Sequence, residues 1–136
     1  MDKKEILAFI SENPIANMAT AEGNKPHVRA METYRADDDG LIFYTGKTKK
    51  VGQQLKANPE IEVSYFAKGL QVRVCGRVEA VEDMSFKEEI VEARNFLKPY
   101  IEEYGWDNLA VYCLKNGKAT TWSMQDMIDP TAFIDL

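Results

Sequence analysis

Hydrophobic and polar residues alternate over short stretches of this chain, which is typical of β-strands with one buried face. The longest stretch runs from Leu70 to Val81, and its residues Val72, Val74 and Val78 share one face. Gly76 in its middle indicates a bend or a close approach of two backbones. The other predicted strands are Ile15 to Thr20, His27 to Arg35, Leu41 to Thr45, Ile61 to Phe66, Leu109 to Lys115 and Lys118 to Met124.

Helical patterns lie in the connections between these strands. Helices are predicted from the N-cap Asp2 to Asn13, from the N-cap Thr48 to Asn58, and from the capping-box residue Ser85, paired with Glu88, to about Leu97. A proline directly follows the first two helices, which marks their ends. The segment from Pro99 to Tyr104 is expected to add a further turn.

Turn residues separate the predicted strands. The run Asp37-Asp38-Asp39-Gly40 fits a solvated hairpin turn, because the later ligands of a calcium loop are missing. Asn116-Gly117 predicts a hairpin between the last two strands. Six antiparallel strands with helices in their connections are expected to form a small β-barrel.

A cluster of lysines marks the start of the second predicted helix: Lys47, Lys49 and Lys50. The helix dipole disfavours each cation there by about 0.3–1 kcal/mol. An anion held by the first-turn N–H groups, the Thr48 hydroxyl and the lysines would turn this penalty into attraction. The other interpretation is a solvated basic face. These residues alone do not decide between an anion site and a solvated basic face.

Charge and composition narrow the choice of partner. The net charge of -5 argues against duplex nucleic acid, which requires a broad basic surface, so the lysine cluster suits a small anionic ligand better. His27 is the only histidine, which excludes a histidine-rich metal site, and Cys75 and Cys113 show no metal or disulfide spacing. With no signal-peptide pattern and no membrane-spanning apolar run, the protein is expected to be cytoplasmic.

Several segments occur in an order and spacing that resemble a known family: residues 26–31 (Pro-His-Val-Arg-Ala-Met), 41–45 (Leu-Ile-Phe-Tyr-Thr), 48–50 (Thr-Lys-Lys), 58–59 (Asn-Pro) and 71–79 (Gln-Val-Arg-Val-Cys-Gly-Arg-Val-Glu). They resemble the flavin-binding split-barrel proteins related to pyridoxamine 5'-phosphate oxidase. The resemblance implies a mainly β (α+β) fold, a six-stranded antiparallel split β-barrel with short connecting helices. Residues 1–136 would form a single FMN-binding domain within a homodimer.

The resemblance also assigns residues to the cofactor, flavin mononucleotide (FMN). The phosphate would be bound by Arg29, Thr48, Lys49 and Lys50. The ribityl chain and ring would be flanked by Ala30, Met31, Glu32, Tyr44 and Thr45, with Gln71 approaching the ring. Trp106 and Trp122 fit a core or an interface, and Trp122 is also a candidate to stack on the flavin. We expect the site to be completed by late residues of a second subunit, among them Tyr112, Trp122, Met124, Met127 and Phe133.

Flavin supplies hydride and single-electron chemistry, so we expect a small flavin-dependent oxidoreductase that acts on an unknown small molecule. Reduced nicotinamide, NAD(P)H, is a candidate electron donor, and no catalytic residue is assigned. Oxidation of pyridoxamine phosphate is not expected, because the late Arg-x-His segment of that oxidase is missing. A non-enzymatic flavin binder for storage, sensing or stress response is the alternative. A barrel that holds haem or a deazaflavin is a third possibility.

Overall fold

The computed structural model describes residues 1–128 and 132–136, which contain eight strands and four α-helices. The strands are β1 (Ile15–Glu22), β2 (Lys25–Asp37), β3 (Gly40–Gly46), β4 (Glu60–Ala67), β5 (Leu70–Ala80), β6 (Leu109–Leu114), β7 (Lys118–Ser123) and β8 (Ile134–Asp135). The helices are α1 (Lys3–Glu12), α2 (Lys50–Ala57), α3 (Met84–Ala93) and α4 (Lys98–Tyr104). Short 3₁₀ turns, Asn95–Leu97 and Trp106–Asn108, flank α4.

Six of the strands close into an antiparallel barrel. Their order around the ring is β1-β2-β3-β6-β5-β4, and β4 pairs back to β1. This confirms the prediction of a six-stranded antiparallel barrel with short connecting helices. The seventh predicted strand, β7, lies outside the ring, where it pairs with β5 and with the two-residue β8.

The barrel is split between β2 and β3. These strands form the predicted hairpin through Asp37 and Gly40, but their pairing ends at Thr33 and Phe43, next to a register shift. Among the described residues, those of β2 before Thr33 pair only with β1, and those of β3 after Phe43 pair only with β6. A gap therefore opens between two neighbouring strands of the ring.

Strand β5 changes partner at Gly76. Its first half pairs with β7 and its last three residues pair with β6. A Cβ atom on Gly76 would lie 3.6 Å from the Cα of Gly117, which confirms the predicted close approach of backbones.

The hairpin predicted at Asn116-Gly117 is wrong, because β6 and β7 both pair with β5 rather than with each other. Gly117 instead serves packing, since a Cβ there would lie 2.8 Å from Val74 Cγ1.

Apolar side chains from the helices close the barrel interior. Ile6 and Ile10 of α1 and Val51 and Leu55 of α2 belong to the same buried cluster as the inward-facing strand residues. A second cluster lies on the outer side of β3 and β6, beneath α3. None of the helices in the described residues is long and apolar enough to span a membrane.

Of the three N-caps predicted from the sequence, one agrees with the structure. Asp2 caps α1, and its side chain accepts from the Glu5 amide. The predicted N-cap Thr48 is wrong, because Lys49 has extended backbone angles and is itself the N-cap of α2. The predicted cap Ser85 is also wrong. Asp83, two residues earlier, accepts from the Ser85 amide at 2.9 Å and so begins α3 sooner.

Candidate functional site

A cavity of about 280 Å³ occupies the gap between β2 and β3. We call it the β2–β3 cavity. Strands β2 and β3 form its two sides, and the start of α2 lies at one end. The aromatic residues Phe96 and Tyr100, from the helical segment before β6, also line it. Most of the predicted cofactor-binding residues line it: Arg29, Ala30, Met31, Glu32, Tyr44, Thr45 and Lys49.

Arg29 is held at this cavity by neutral oxygen atoms. Its Nη1 donates to Thr20 Oγ1 at 2.9 Å and to the Met18 carbonyl at 3.2 Å, and its Nη2 donates to Gln54 Oε1 at 2.6 Å. Within residues 1–128 and 132–136, no carboxylate oxygen forms an ion pair with this guanidinium. Burial lowers the pKa of Arg29 from its ordinary value, yet a guanidinium stays charged at neutral pH. Arg29 therefore brings to the cavity a positive charge that no carboxylate of the described residues pairs with.

The structure divides the lysine cluster between two surfaces. Lys49, the N-cap of α2, lines the β2–β3 cavity. Lys47 lines a separate cleft on the other side of α2, together with Lys56 and Arg77. Thr48 and Lys50 are exposed and do not line the β2–β3 cavity. The first turn of α2 carries no acidic residue, so the positive end of its dipole is not neutralised within the helix.

A carboxylate network forms the opposite end of the cavity. Glu32 accepts hydrogen bonds from Arg94 Nε at 2.8 Å and from the Tyr44 hydroxyl at 2.6 Å, and it forms an ion pair with Arg94. Burial alone would raise the pKa of Glu32, but the hydrogen bonds from Arg94 and Tyr44 and the Arg94 charge outweigh it and lower that pKa. Burial, and then Glu32, raises the pKa of Tyr44 well above its usual range. Glu32 is therefore ionised and Tyr44 is a neutral hydrogen-bond donor at neutral pH.

Two of the predicted residues lie elsewhere in the chain, but beside each other. Gln71 of β5 is directly opposite Trp122 of β7 and opposite Phe66 of β4. The Gln71 amide donates to Ser64 Oγ at 3.1 Å, and Phe66 is 58% exposed. Within one chain, Gln71 and Trp122 do not line the β2–β3 cavity.

The late residues that were expected to reach a second subunit fall into two groups. Tyr112 is buried in the core of its own barrel, so its assignment to a partner's flavin is wrong. Its position on the inner face of β6 explains this. Met124, Met127 and Phe133 are exposed.

The sequence did not assign to the site the hydrogen-bonding residues Thr20, Gln54 and Arg94, nor the aromatic residues Phe96 and Tyr100. Gln54 had a detectable signal, since it lies between Val51 and Leu55 on the apolar face of α2, where a polar residue requires a partner. Thr20 and Arg94 had none, because their role depends on contacts between residues far apart in the chain.

Comparisons with known proteins agree with this geometry. The family model described as pyridoxamine 5'-phosphate oxidase matches residues 2–118. The pyridoxine/pyridoxamine 5'-phosphate oxidase of Mannheimia succiniciproducens is 32% identical over 121 residues, which cover 85% of this chain and 55% of that protein. The enzyme of the same name from Pseudomonas putida (strain W619) is 42% identical over 67 residues, which cover 47% of this chain and 31% of that protein. The chain thus spans about half the length of these curated relatives, or less.

A solved structure covers nearly the whole chain. A NimC/NimA family protein from Clostridium acetobutylicum superposes with a TM-score of 0.76 at 27% sequence identity. The match covers 98% of this chain and 93% of that one. The split barrel with its short helices is therefore shared over its full extent with that protein.

Proposed function

Because the chain belongs to the pyridoxamine 5'-phosphate oxidase family, we propose that it binds FMN in the β2–β3 cavity and acts as a small flavin-dependent oxidoreductase. The single observation that carries the proposal is the unneutralised charge of Arg29 at the cavity. Arg29 is partly buried, and a charge that is withdrawn from water is normally paired. A phosphate monoester is the partner that this family's cofactor would supply.

The phosphate would lie at the end of the cavity where Arg29 and Lys49 meet the start of α2. Each charge-assisted hydrogen bond contributes about 1.5–3 kcal/mol. Thr48 and Lys50 remain proposed phosphate ligands, since they neighbour Lys49 on the exposed turn, although neither lines the cavity. Ala30, Met31, Glu32, Tyr44 and Thr45 would flank the remainder of the cofactor.

We propose further that the site is completed in a homodimer. The strands β7-β5-β4-β1-β2 form a continuous run in the sheet, with β2 at one end and β7 at the other. Its outer face exposes apolar side chains, including Val28 and Phe66, at 69% and 58%. If two copies pack these faces about a two-fold axis, the β7 end of one meets the β2 end of the other. Gln71 and Trp122 would then reach the partner's β2–β3 cavity.

Bound flavin would supply hydride and single-electron chemistry, while the chain supplies binding, orientation and electrostatics. Arg29 and Lys49 would anchor the phosphate. Glu32, held by Arg94, keeps Tyr44 oriented as a hydrogen-bond donor at the cavity wall. Phe96 and Tyr100 would exclude water from one side. The substrate is a small molecule, with NAD(P)H as the proposed electron donor, and the cytoplasmic location stays a prediction.

The proposal names no substrate. The chain spans about half or less of the pyridoxine/pyridoxamine 5'-phosphate oxidases it matches, and their activity is not carried over to it. The second candidate function is a non-enzymatic flavin binder, which is favoured by the commitment of the cavity residues Glu32 and Tyr44 to hydrogen bonds with Arg94 and with each other. Oxidation of NAD(P)H by the purified holoprotein separates the two. The absorption spectrum of the untreated protein distinguishes flavin from haem or a deazaflavin.

The decisive test compares FMN with riboflavin, which lacks the phosphate. We expect calorimetric titration of the apoprotein to give at least a hundredfold higher affinity for FMN, since the loss of two charge-assisted hydrogen bonds costs about 3 kcal/mol or more. Arg29→Met should lower the FMN affinity toward that of riboflavin. Equal affinities of the wild-type protein for both ligands would contradict the phosphate site.

A further inference from the structure

Gln54 is a polar side chain in a place where the helix pattern calls for an apolar one. It is 4% exposed and lies on the face of α2 that carries Val51 and Leu55 into the core. A buried amide without partners would cost about 1–3 kcal/mol. Its partners are therefore the reason for its presence.

Those partners fix the direction of the Gln54 amide. Its Oε1 accepts from Thr20 Oγ1 at 2.6 Å and from Arg29 Nη2 at 2.6 Å, and these two bonds use both of its lone pairs. The Thr20 hydroxyl in turn accepts from Arg29 Nη1, so its only proton is committed to Gln54. A flipped amide would place its NH₂ group against Arg29 Nη2, which can only donate, and would leave the Thr20 proton without this acceptor. The three side chains therefore form a closed set with one satisfactory arrangement.

We propose that Gln54 is a positioning residue for ligand phosphate: it orients Arg29 through a neutral oxygen and so leaves the guanidinium charge to the ligand. This inference rests on the proposed FMN site. A carboxylate in the same place would orient Arg29 equally well, but it would also neutralise it. The chain thus uses glutamine where glutamate would make the stronger bond to arginine, because that stronger bond would compete with a phosphate monoester.

The test is a pair of variants with the same change of charge. Gln54→Glu introduces a carboxylate beside Arg29, and Ala57→Glu introduces one at an exposed position near the C-terminal end of the same helix. We expect Gln54→Glu to weaken FMN binding roughly ten- to hundredfold and to leave riboflavin affinity within about threefold of wild type. Ala57→Glu should change both affinities by less than about threefold, because its carboxylate is in water and at the end of α2 away from Lys49.

A second measurement examines Arg29 in the apoprotein and needs no flavin. Hydrogen bonds from both Nη groups hinder rotation about the Cζ–Nη bonds, which nitrogen NMR of the arginine side chains detects. Gln54→Met should restore fast rotation of the Arg29 Nη2 group, whereas Gln53→Met should not. Unchanged rotation in Gln54→Met would overturn the positioning role.

The outcomes separate this inference from the proposed function. A wild-type protein that binds FMN and riboflavin equally would contradict the cofactor proposal, and with it the phosphate role of Gln54. A wild-type protein that prefers FMN, with equal losses in Gln54→Glu and Ala57→Glu, would overturn the role of Gln54 alone. Selective loss of FMN binding in Gln54→Glu supports it.

Discussion

Glu32 places a negative charge in a cavity that is proposed to hold an anion, and Arg94 makes this arrangement tolerable. The ion pair is mostly buried, with 20% of the Glu32 side chain and 30% of the Arg94 side chain exposed. Removing one partner of such a pair costs more than the pair itself contributes, because the remaining charge is left without compensation. Arg94 therefore neutralises one end of the cavity while Arg29 keeps its charge at the other.

We expect Arg94→Met to lower the free energy of unfolding by about 1–2 kcal/mol near pH 7. The pKa of Glu32 is lowered in the folded state, so the stabilisation exists above its unfolded pKa of about 4.3 and is lost as the pH falls through the lower folded value. The difference between variant and wild type should accordingly shrink toward pH 3. Urea unfolding at several pH values measures this.

Arg77→Met is the matched control for Arg94→Met. Arg77 pairs with Glu60 at 3.5 Å, but both side chains are more than half exposed. Its loss should change the unfolding free energy by less than about 0.5 kcal/mol. A pH-independent effect of Arg94→Met would show that the residue acts through packing rather than through the Glu32 charge.

For single residues, the sequence predicts those that belong to a family motif and few others. Arg29, Tyr44 and Lys49 follow from the resemblance, and the cavity brings them together. Arg94 and Gln54 could not be found in that way, since each meets its partner across a long separation in the chain. A hydrogen-bond network depends on geometry that no local pattern records.

Among the elements, α2 is the one on which the site depends, and Gly52 sets how closely it packs. A Cβ atom at Gly52 would lie 2.6 Å from the carbonyl oxygen of Gly46 and 2.9 Å from that of Lys47. Both are backbone atoms of the turn that leads from β3 into the helix. Only a residue without a side chain lets the helix start fold back against that turn and so present Lys49 to the cavity.

Gly52→Ala should therefore destabilise the protein, against the usual rule for helices. Alanine inside a helix normally stabilises by about 1 kcal/mol relative to glycine. Here the overlap with backbone should reverse the sign and cost about 1–3 kcal/mol. Thermal unfolding measures the change, and FMN affinity should fall with it because Lys49 moves.

Lys56→Ala, at an exposed site of the same helix, is the control. It should change the free energy of unfolding by less than about 0.5 kcal/mol. A stabilised Gly52→Ala would show that the turn can move away freely.

The elements also show how far patterns determine structure. Every barrel strand was located to within a few residues. Alternation marks the strands with one buried face, whereas β3 and β6 do not alternate in burial and are short, mainly apolar runs. It could not identify strand partners, which is why the signal at Asn116-Gly117 predicted a hairpin that does not form. Two predicted N-caps were wrong for a similar reason, since a local pattern does not choose between neighbouring candidates. Asp83 and Ser85 are both good caps, and Asp83 is the one whose side chain accepts from the Ser85 and Phe86 amides.

For the whole molecule, the proposed function assigns Gln71 and Trp122 to a flavin site that they do not line within one chain, and a second copy would bring them to it. We expect flavin to sediment with a dimer and its affinity to fall on dilution below the dimer dissociation constant, since a site made by two chains weakens when they separate. Sedimentation detected in the flavin absorption band measures both. Flavin that travels with a stable monomer would contradict the shared site.

A matched pair of variants identifies the contacting face. Val28→Glu places a charge on the exposed outer face of β2 and should prevent dimer formation, since a buried, unpaired charge is costly. Met84→Glu adds the same charge at a residue of α3 that is 41% exposed and does not line the β2–β3 cavity, and it should leave the dimer intact. Dimer loss in both variants would show that the sheet face is not the specific interface. That residues 1–136 form a single domain remains a prediction at this scale.

The pairing of β3 with β6 has a consequence for the synthesis of the protein. Hairpins β1–β2 and β4–β5 join neighbouring segments and can form early, whereas Leu41 must wait for Leu114 before the ring closes. One wall of the β2–β3 cavity is the free portion of β3, which only β6 holds in place. On the ribosome the cavity cannot exist until nearly the whole barrel has emerged. Only a completed chain could therefore bind a cofactor there. Nascent or truncated chains would lack the flavin and remain colourless.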